Sequence, residues 1–166
     1  MDVDCQGNIT CMEPGHSAII DPSLNPNGVT TSCDFLPDWN HVCLERVAAS
    51  EAGIAAQWKS LRGEKLTGEQ IAEKMYAGDQ LALQLYHTSA LITAHIIEGI
   101  RSSLDFPVAD TAVVLFGGAF KTYGMVDRIR QILTKHGKPM ELIRVAELGF
   151  SNANMAGLAI SALMAE

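Results

Sequence analysis

The chain has 166 residues, 48% of them hydrophobic and 19% charged, with 12 Lys+Arg against 19 Asp+Glu and a formal net charge of −7. That is apolar material for one core and about one domain, which excludes a disordered tail, and the acidic balance, with no Lys/Arg cluster, offers no field for a nucleic-acid backbone. No window approaches the roughly 20 apolar residues that span a bilayer, and Asp2 and Asp4 stand where a signal peptide needs positive charge, so no membrane partner is expected, the default address is the cytosol, and the four cysteines are expected to be free or metal-bound.

The first forty or so residues are polar and rich in turns. Val3 and Ile9 flank Gly7-Asn8, which predicts a hairpin, and Ser17-Ala-Ile-Ile20 reads as a short strand. Asp21-Pro22, Asn25-Pro26 and Asn27-Gly28 punctuate a stretch that reaches about Asn40 without a period. A loop of that length is usually functional or mobile. From Cys43 the pattern turns helical through Val47, Ile54 and Trp58 and stops at Arg62-Gly63. Thr67, three residues before Gln70, has the spacing of a capping box and opens a short helix through Met75 that ends near Gly78. Asp79 can cap the next helix, where Leu81, Leu85, Ile92, Ile96 and Ile100 recur at helical spacing towards Leu104, a rod of about 39 Å. That stripe is expected to be core, with His87 and His95 as packing residues rather than ligands.

Thr111-Ala-Val-Val-Leu-Phe116 is predicted to be a buried strand, since it lacks polar alternation and is rich in β-branched residues. Gly117-Gly118 ends it. A helix follows through Met125, Ile129, Ile132 and Leu133, closed by Gly137 and Pro139, and Glu141-Leu-Ile-Arg-Val145 reads as another strand. Gly149 and Ser151-Asn152 lead into a final helix of small residues, Ala156 to Ala165. Strand, helix, strand, helix predicts a right-handed, largely parallel α/β unit. The organisation is thus one domain in three parts: a hairpin and long loop over 1–42, helices over 43–104 and an α/β unit over 105–166.

The common signatures of phosphate loops, dinucleotide folds, serine hydrolases and paired-cysteine sites are absent. Three local features remain. In Glu13-Pro-Gly-His16 a rigid turn would aim a carboxylate and an imidazole at one small volume, a pair able to grip vicinal hydroxyls; an exposed turn is the alternative. Cys43-Leu-Glu45, with Cys33 and His41 upstream, stands at the entry to a helix. His16, Cys33, His41 and Cys43 would supply the four ligands of a tetrahedral zinc, against the alternative of an inert buried Cys43 and incidental neighbours. Glu45 in a first helical turn is also favoured simply by the helix dipole. Gly117-Gly118 follows a strand, where absent side chains let backbone approach a ligand at the carboxyl end of a sheet; a plain strand-to-helix turn is the alternative. Cys5 and Cys11 could face each other across the hairpin, but a reducing compartment argues against that bond.

In order along the chain these segments resemble the carboxyl-terminal half of ROK-family proteins, a group of repressors, unassigned reading frames and sugar kinases. Glu13-Pro-Gly-His16 resembles the family's Glu-x-Gly-His, and Cys43-Leu-Glu45 with Ala49-Ser50 resembles its Gly-Cys-x-Glu and Ala-Ser. Gly78-Asp79 opens the long helix as in the family. Leu104-Asp-Phe-Pro107 and Val113-Val-Leu-Phe-Gly-Gly118 resemble its Leu-Asp-Pro and Val-Ile-Gly-Gly segments, and Ala146-Glu-Leu-Gly149 with Ala156-Gly157 its closing segment and last helix.

The resemblance implies a ribonuclease H-like, actin-like ATPase fold, in which two α/β lobes close on a sugar and a nucleotide. This chain would form one lobe, a mixed sheet with helices on both faces and a long central helix. Carried over by position, Glu13, His16 and Glu45 would hold hydroxyls of a hexose or N-acylhexosamine, and Gly117-Gly118 would lie against the adenosine of magnesium-bound ATP. The family's histidine also ligates a structural zinc with three cysteines. Here only Cys43 is in register, Leu36 and Asp38 occupy the two earlier positions, and a zinc would need Cys33 and His41 as replacements. Sugar phosphorylation needs an Asp base, a Gly-rich phosphate turn and Mg²⁺, yet neither an Asp-x-Gly-x-Thr turn nor an Asn-Asp pair occurs. The expectation is the second lobe of a glucokinase-type sugar kinase, inactive alone, whose partner is a missing amino-terminal lobe or a second copy of itself. The alternatives are the sugar-sensing effector lobe of a ROK repressor and a non-catalytic interaction module that pairs through an uncovered sheet edge.

Overall fold

The computed structural model describes residues 2–3, 9–10, 25–28, 44, 47, 50–103, 112–122 and 124–149. At the front, β1 (Asp2–Val3) and β2 (Ile9–Thr10) pair antiparallel with Val3 opposite Ile9, the hairpin pairing expected from the sequence. The expected strand over 17–20 and the closing helix over 156–165 lie outside the described residues.

Helix α1 (Glu51–Arg62) begins where Ser50 leaves the helical conformation and its Oγ accepts from the Gly53 N–H at 3.0 Å. Glu51 in the first turn and Lys59 and Arg62 in the last complement the helix dipole. The sequence predicts one continuous helix from Cys43, and the structure corrects this. Leu44 and Val47 are in helical turns, but the chain breaks at Ser50, because a serine hydroxyl that satisfies an amide at a helix start gains more than it does inside a helix. Helix α2 (Gly68–Tyr76) carries the predicted capping box: Thr67 Oγ1 accepts from the Gln70 N–H at 3.2 Å, and Gln70 Oε1 accepts from the Thr67 N–H at 2.9 Å.

Helix α3 (Gln80–Ser103) is the spine, capped by Asp79 Oδ1 on the Ala82 N–H at 3.0 Å. Its buried face differs from the expected one. Leu85 and Ile92 are fully buried, but Leu81, Ile96 and Ile100 are only half-buried, while Ala82, Tyr86, Ser89, Ala90, Thr93, Ala94 and Ile97 are inside. At 3.6 residues per turn the centre of burial lies about 60° from the centre of the Leu/Ile stripe. Small side chains let neighbouring helices approach closely, so the packed face is chosen by fit as much as by hydropathy. His87 and His95, expected as packing residues, are both exposed.

Strand β3 (Ala112–Leu115) runs parallel to β4 (Glu141–Arg144), with Ala112 opposite Glu141 and Leu115 opposite Arg144. Between them stands α4 (Met125–Lys135), which lays Met125, Val126, Ile129 and Leu133 into the core against α3. This is the predicted strand-helix-strand unit with its parallel pairing. The expectation of a strand buried along its length is corrected: only Leu115 is buried, Val113 and Val114 are half-buried, and Ala112 is exposed. A run without polar residues says that neither face requires water, and it does not by itself place a second layer over either. One cluster joins α1, α2, α3, α4 and the strand pair through Ile54, Trp58, Ile71, Leu85, Ile129 and Leu142.

The Asn25-Pro26-Asn27-Gly28 turn, closed by the Gly28 N–H on the Asn25 carbonyl at 3.0 Å, is tied to this body by two side chains. Asn27 Nδ2 donates to Gln57 Oε1 at 2.8 Å, and Gln84 Nε2 donates to Asn27 Oδ1 at 3.4 Å. Gln57, itself buried, uses its amide to donate to the Val47 carbonyl. Among the described residues no helix is long and apolar enough to cross a membrane.

Candidate functional site

Because β3 and β4 are parallel, their carboxyl ends lie side by side, and the chain leaves both at the same edge. Beyond β3, Gly117 has φ 131° and ψ 167°, a region open essentially to glycine alone. It feeds a 3-10 turn, Gly118–Lys121, and a second 3-10 turn, Val145–Leu148, follows β4 directly. Between the two turns is a cavity of 490 Å³ walled by Phe116, Gly117, Gly118, Phe120, Lys121 and Ala146. Phe116 is 55% exposed there, an unusual position for a large apolar ring. Arg144 and Glu147 clasp across the second turn: the Arg144 N–H donates to Glu147 Oε2 at 3.0 Å and its Nε to Oε1 at 2.8 Å. These bonds hold the Glu147 carboxyl below its usual value, the backbone donor being the larger cause.

Behind Gly118 lies a second cavity of 430 Å³, in which Glu51, Glu69, Glu73, Tyr76 and Thr122 join Lys121. Glu51 comes from the first turn of α1 and is lodged between two glycines. A methyl group on Gly118 would overlap Glu51 Oε2, and one on Gly68 would overlap Glu51 Cγ. Close by, the buried Tyr86 hydroxyl donates to the Gly68 carbonyl at 2.8 Å. Burial pushes its phenol above the ordinary value, a bond with Thr122 opposes this, and the Glu51 charge adds to it.

Of the residues singled out from sequence, Gly117 and Gly118 are thus placed at the mouth of a cavity beyond a strand. Glu13, His16, Cys33, His41, Cys43 and Glu45 lie outside the described residues, so the sugar and zinc constellations have no geometry here. Among the described residues no group of three or more His, Cys, Asp or Glu is placed to hold a metal ion. His136 Nδ1 is 2.7 Å from Glu98 Oε1, with the His95 ring 5.7 Å away and Lys138 Nζ 3.7 Å from Glu98 Oε2. The sequence reading missed Glu51, Tyr86, Phe116 and Lys121. No local pattern marks them, since each acquires its meaning from a partner on another element.

In comparison with known families, the sequence model of the ROK family matches residues 6–160. No curated protein matches the chain significantly.

Proposed function

The chain belongs to the ROK family of sugar kinases and repressors, and from that premise we propose that it is the second, adenosine-facing lobe of an ATP-dependent hexose or N-acylhexosamine kinase. The family implies an actin-like ATPase fold, and the parallel β3–β4 pair with its helices is consistent with one. The observation that carries the proposal is the cavity at the carboxyl ends of β3 and β4, entered through a backbone conformation that only Gly117 can adopt. In open α/β sheets ligands sit at that edge. Phe116 and Phe120 offer rings to a nucleobase, and Lys121 offers a cation. Glu13, His16 and Glu45 are proposed as the sugar's hydroxyl ligands, and His16, Cys33, His41 and Cys43 as the set that would hold a structural zinc.

Phosphoryl transfer relies almost entirely on positioning and charge stabilisation. The 166 residues contain neither the phosphate turn nor the Asn-Asp base of the reaction, so the chain alone is proposed to bind without turning over, acting with an amino-terminal lobe or in a homo-oligomer. The test is calorimetry with magnesium-ATP together with a coupled kinase assay over a panel of hexoses and N-acylhexosamines. The expected result is nucleotide binding without turnover. Turnover by this chain alone would refute the proposed inactivity. Sugar binding with no nucleotide binding would overturn the kinase reading in favour of a repressor's effector lobe.

A further inference from the structure

We infer that Glu51 reads the pentose of the bound nucleotide, accepting hydrogen bonds from its hydroxyls, so that the chain discriminates ribonucleosides from deoxyribonucleosides. This rests on the nucleotide reading above and goes beyond it. The two cavities have Gly118 and Lys121 as common walls but differ in chemistry. The 490 Å³ cavity is edged by Phe116, Phe120 and Val145, and the 430 Å³ cavity by carboxylates, a phenol and a threonine hydroxyl. A ligand spanning both needs a flat apolar ring joined to a compact group bearing hydroxyls. A nucleoside is such a molecule.

The character of the second cavity decides which end of a nucleotide enters it. Glu51, Glu69 and Glu73 outnumber Lys121 there, so a phosphate is repelled while neutral donors are accepted. An ionised carboxylate only accepts, and its two oxygens match two adjacent hydroxyls. Glu51 is also the carboxylate nearest the shared wall, since its Oε2 lies against Gly118 where any side chain would displace it. On the other side its Cγ lies beside Gly68, where a side chain would likewise meet it. Among the described residues none makes a hydrogen bond or ion pair to this carboxylate.

The experiment is calorimetric titration of the full chain and of Glu51→Ala and Glu51→Gln with adenosine, 2′-deoxyadenosine and 3′-deoxyadenosine, with circular dichroism to establish that each variant is folded. Because the comparison of the three nucleosides on the unmodified chain needs no variant, a folding defect in either substitution does not remove the test. The expected result is a preference of about tenfold or more for adenosine over one or both deoxy forms, as for a hydrogen bond to a charged group. The preference should vanish in Glu51→Ala and shrink in Glu51→Gln. Adenosine binding with no preference, or with a preference that survives in Glu51→Ala, would overturn the role of Glu51 and leave the nucleotide reading intact. No binding of adenosine or ATP at millimolar concentration would overturn that reading, and this inference with it.

Discussion

Gly118→Ala is the substitution whose outcome follows most directly from the geometry. Gly118 does not have a positive φ, so alanine fits the backbone, and by reducing the freedom of the unfolded chain it would by itself stabilise by about 0.4–1 kcal/mol. The added methyl, however, overlaps Glu51 Oε2, so the carboxylate at the end of that side chain must shift, while its Cγ lies beside the Gly68 backbone. Overpacking of this kind costs about 1–3 kcal/mol. The net expectation is a loss of up to about 2.6 kcal/mol, or a fall in Tm of up to about 10 °C for a chain of this size. In a Glu51→Ala background the obstacle is gone, and the same substitution should be neutral or mildly stabilising. Urea unfolding of the four proteins, followed by circular dichroism, closes a double-mutant cycle with an expected coupling of about 1–3 kcal/mol, the cost of the overlap itself. The loss of Glu51 from the first turn of α1 has its own small cost, which cancels in the cycle. If the two changes add to within about 0.5 kcal/mol, the contact between Glu51 and the turn does not constrain the protein, and the reasoning fails.

Ile129, fully buried where α4 meets α3, should lose about 2–5 kcal/mol on truncation to alanine, read as a lowered urea midpoint; a loss below about 1 kcal/mol would mean that this interface is not packed as described. Tyr86→Phe removes the donor to the Gly68 carbonyl and should cost about 0.5–1.5 kcal/mol at neutral pH. The phenol of Tyr86 is raised above its ordinary 10.0 by folding, so the unfolded chain gives up that proton first and stability falls as pH rises through about 10. Unfolding curves between pH 8 and 11 should therefore be flatter for Tyr86→Phe than for the unmodified chain. Phe116→Ala alters an exposed ring, so Tm should hardly move while ATP affinity falls about tenfold or more if the ring carries a stacked base; unchanged affinity would take Phe116 out of the nucleotide site.

What the residues determine alone is whatever depends on neighbours within about one helical turn. Thr67 with Gln70 and Asp79 with Ala82 are caps legible from spacing, and Gly63 and Gly117-Gly118 mark where elements stop. The alternation of strand and helix over 112–144 already implied the parallel pair and the edge at which the glycines would lie. The same local signals misread Ser50, where helical periodicity concealed a cap, and they did not announce the turn of 3-10 helix after Gly117, which leaves no period to detect. Only tertiary packing decided which face of α3 is buried, because Ala, Ser and Thr are neutral in hydropathy and become core only when a neighbouring helix needs the room. It also brought Glu51 against Gly118, since no rule of sequence spacing relates the first turn of one helix to the end of a strand 67 positions later (118 − 51). Such contacts arise from the shapes of the surfaces that meet, and a linear pattern of side chains records those surfaces without recording which of them will touch.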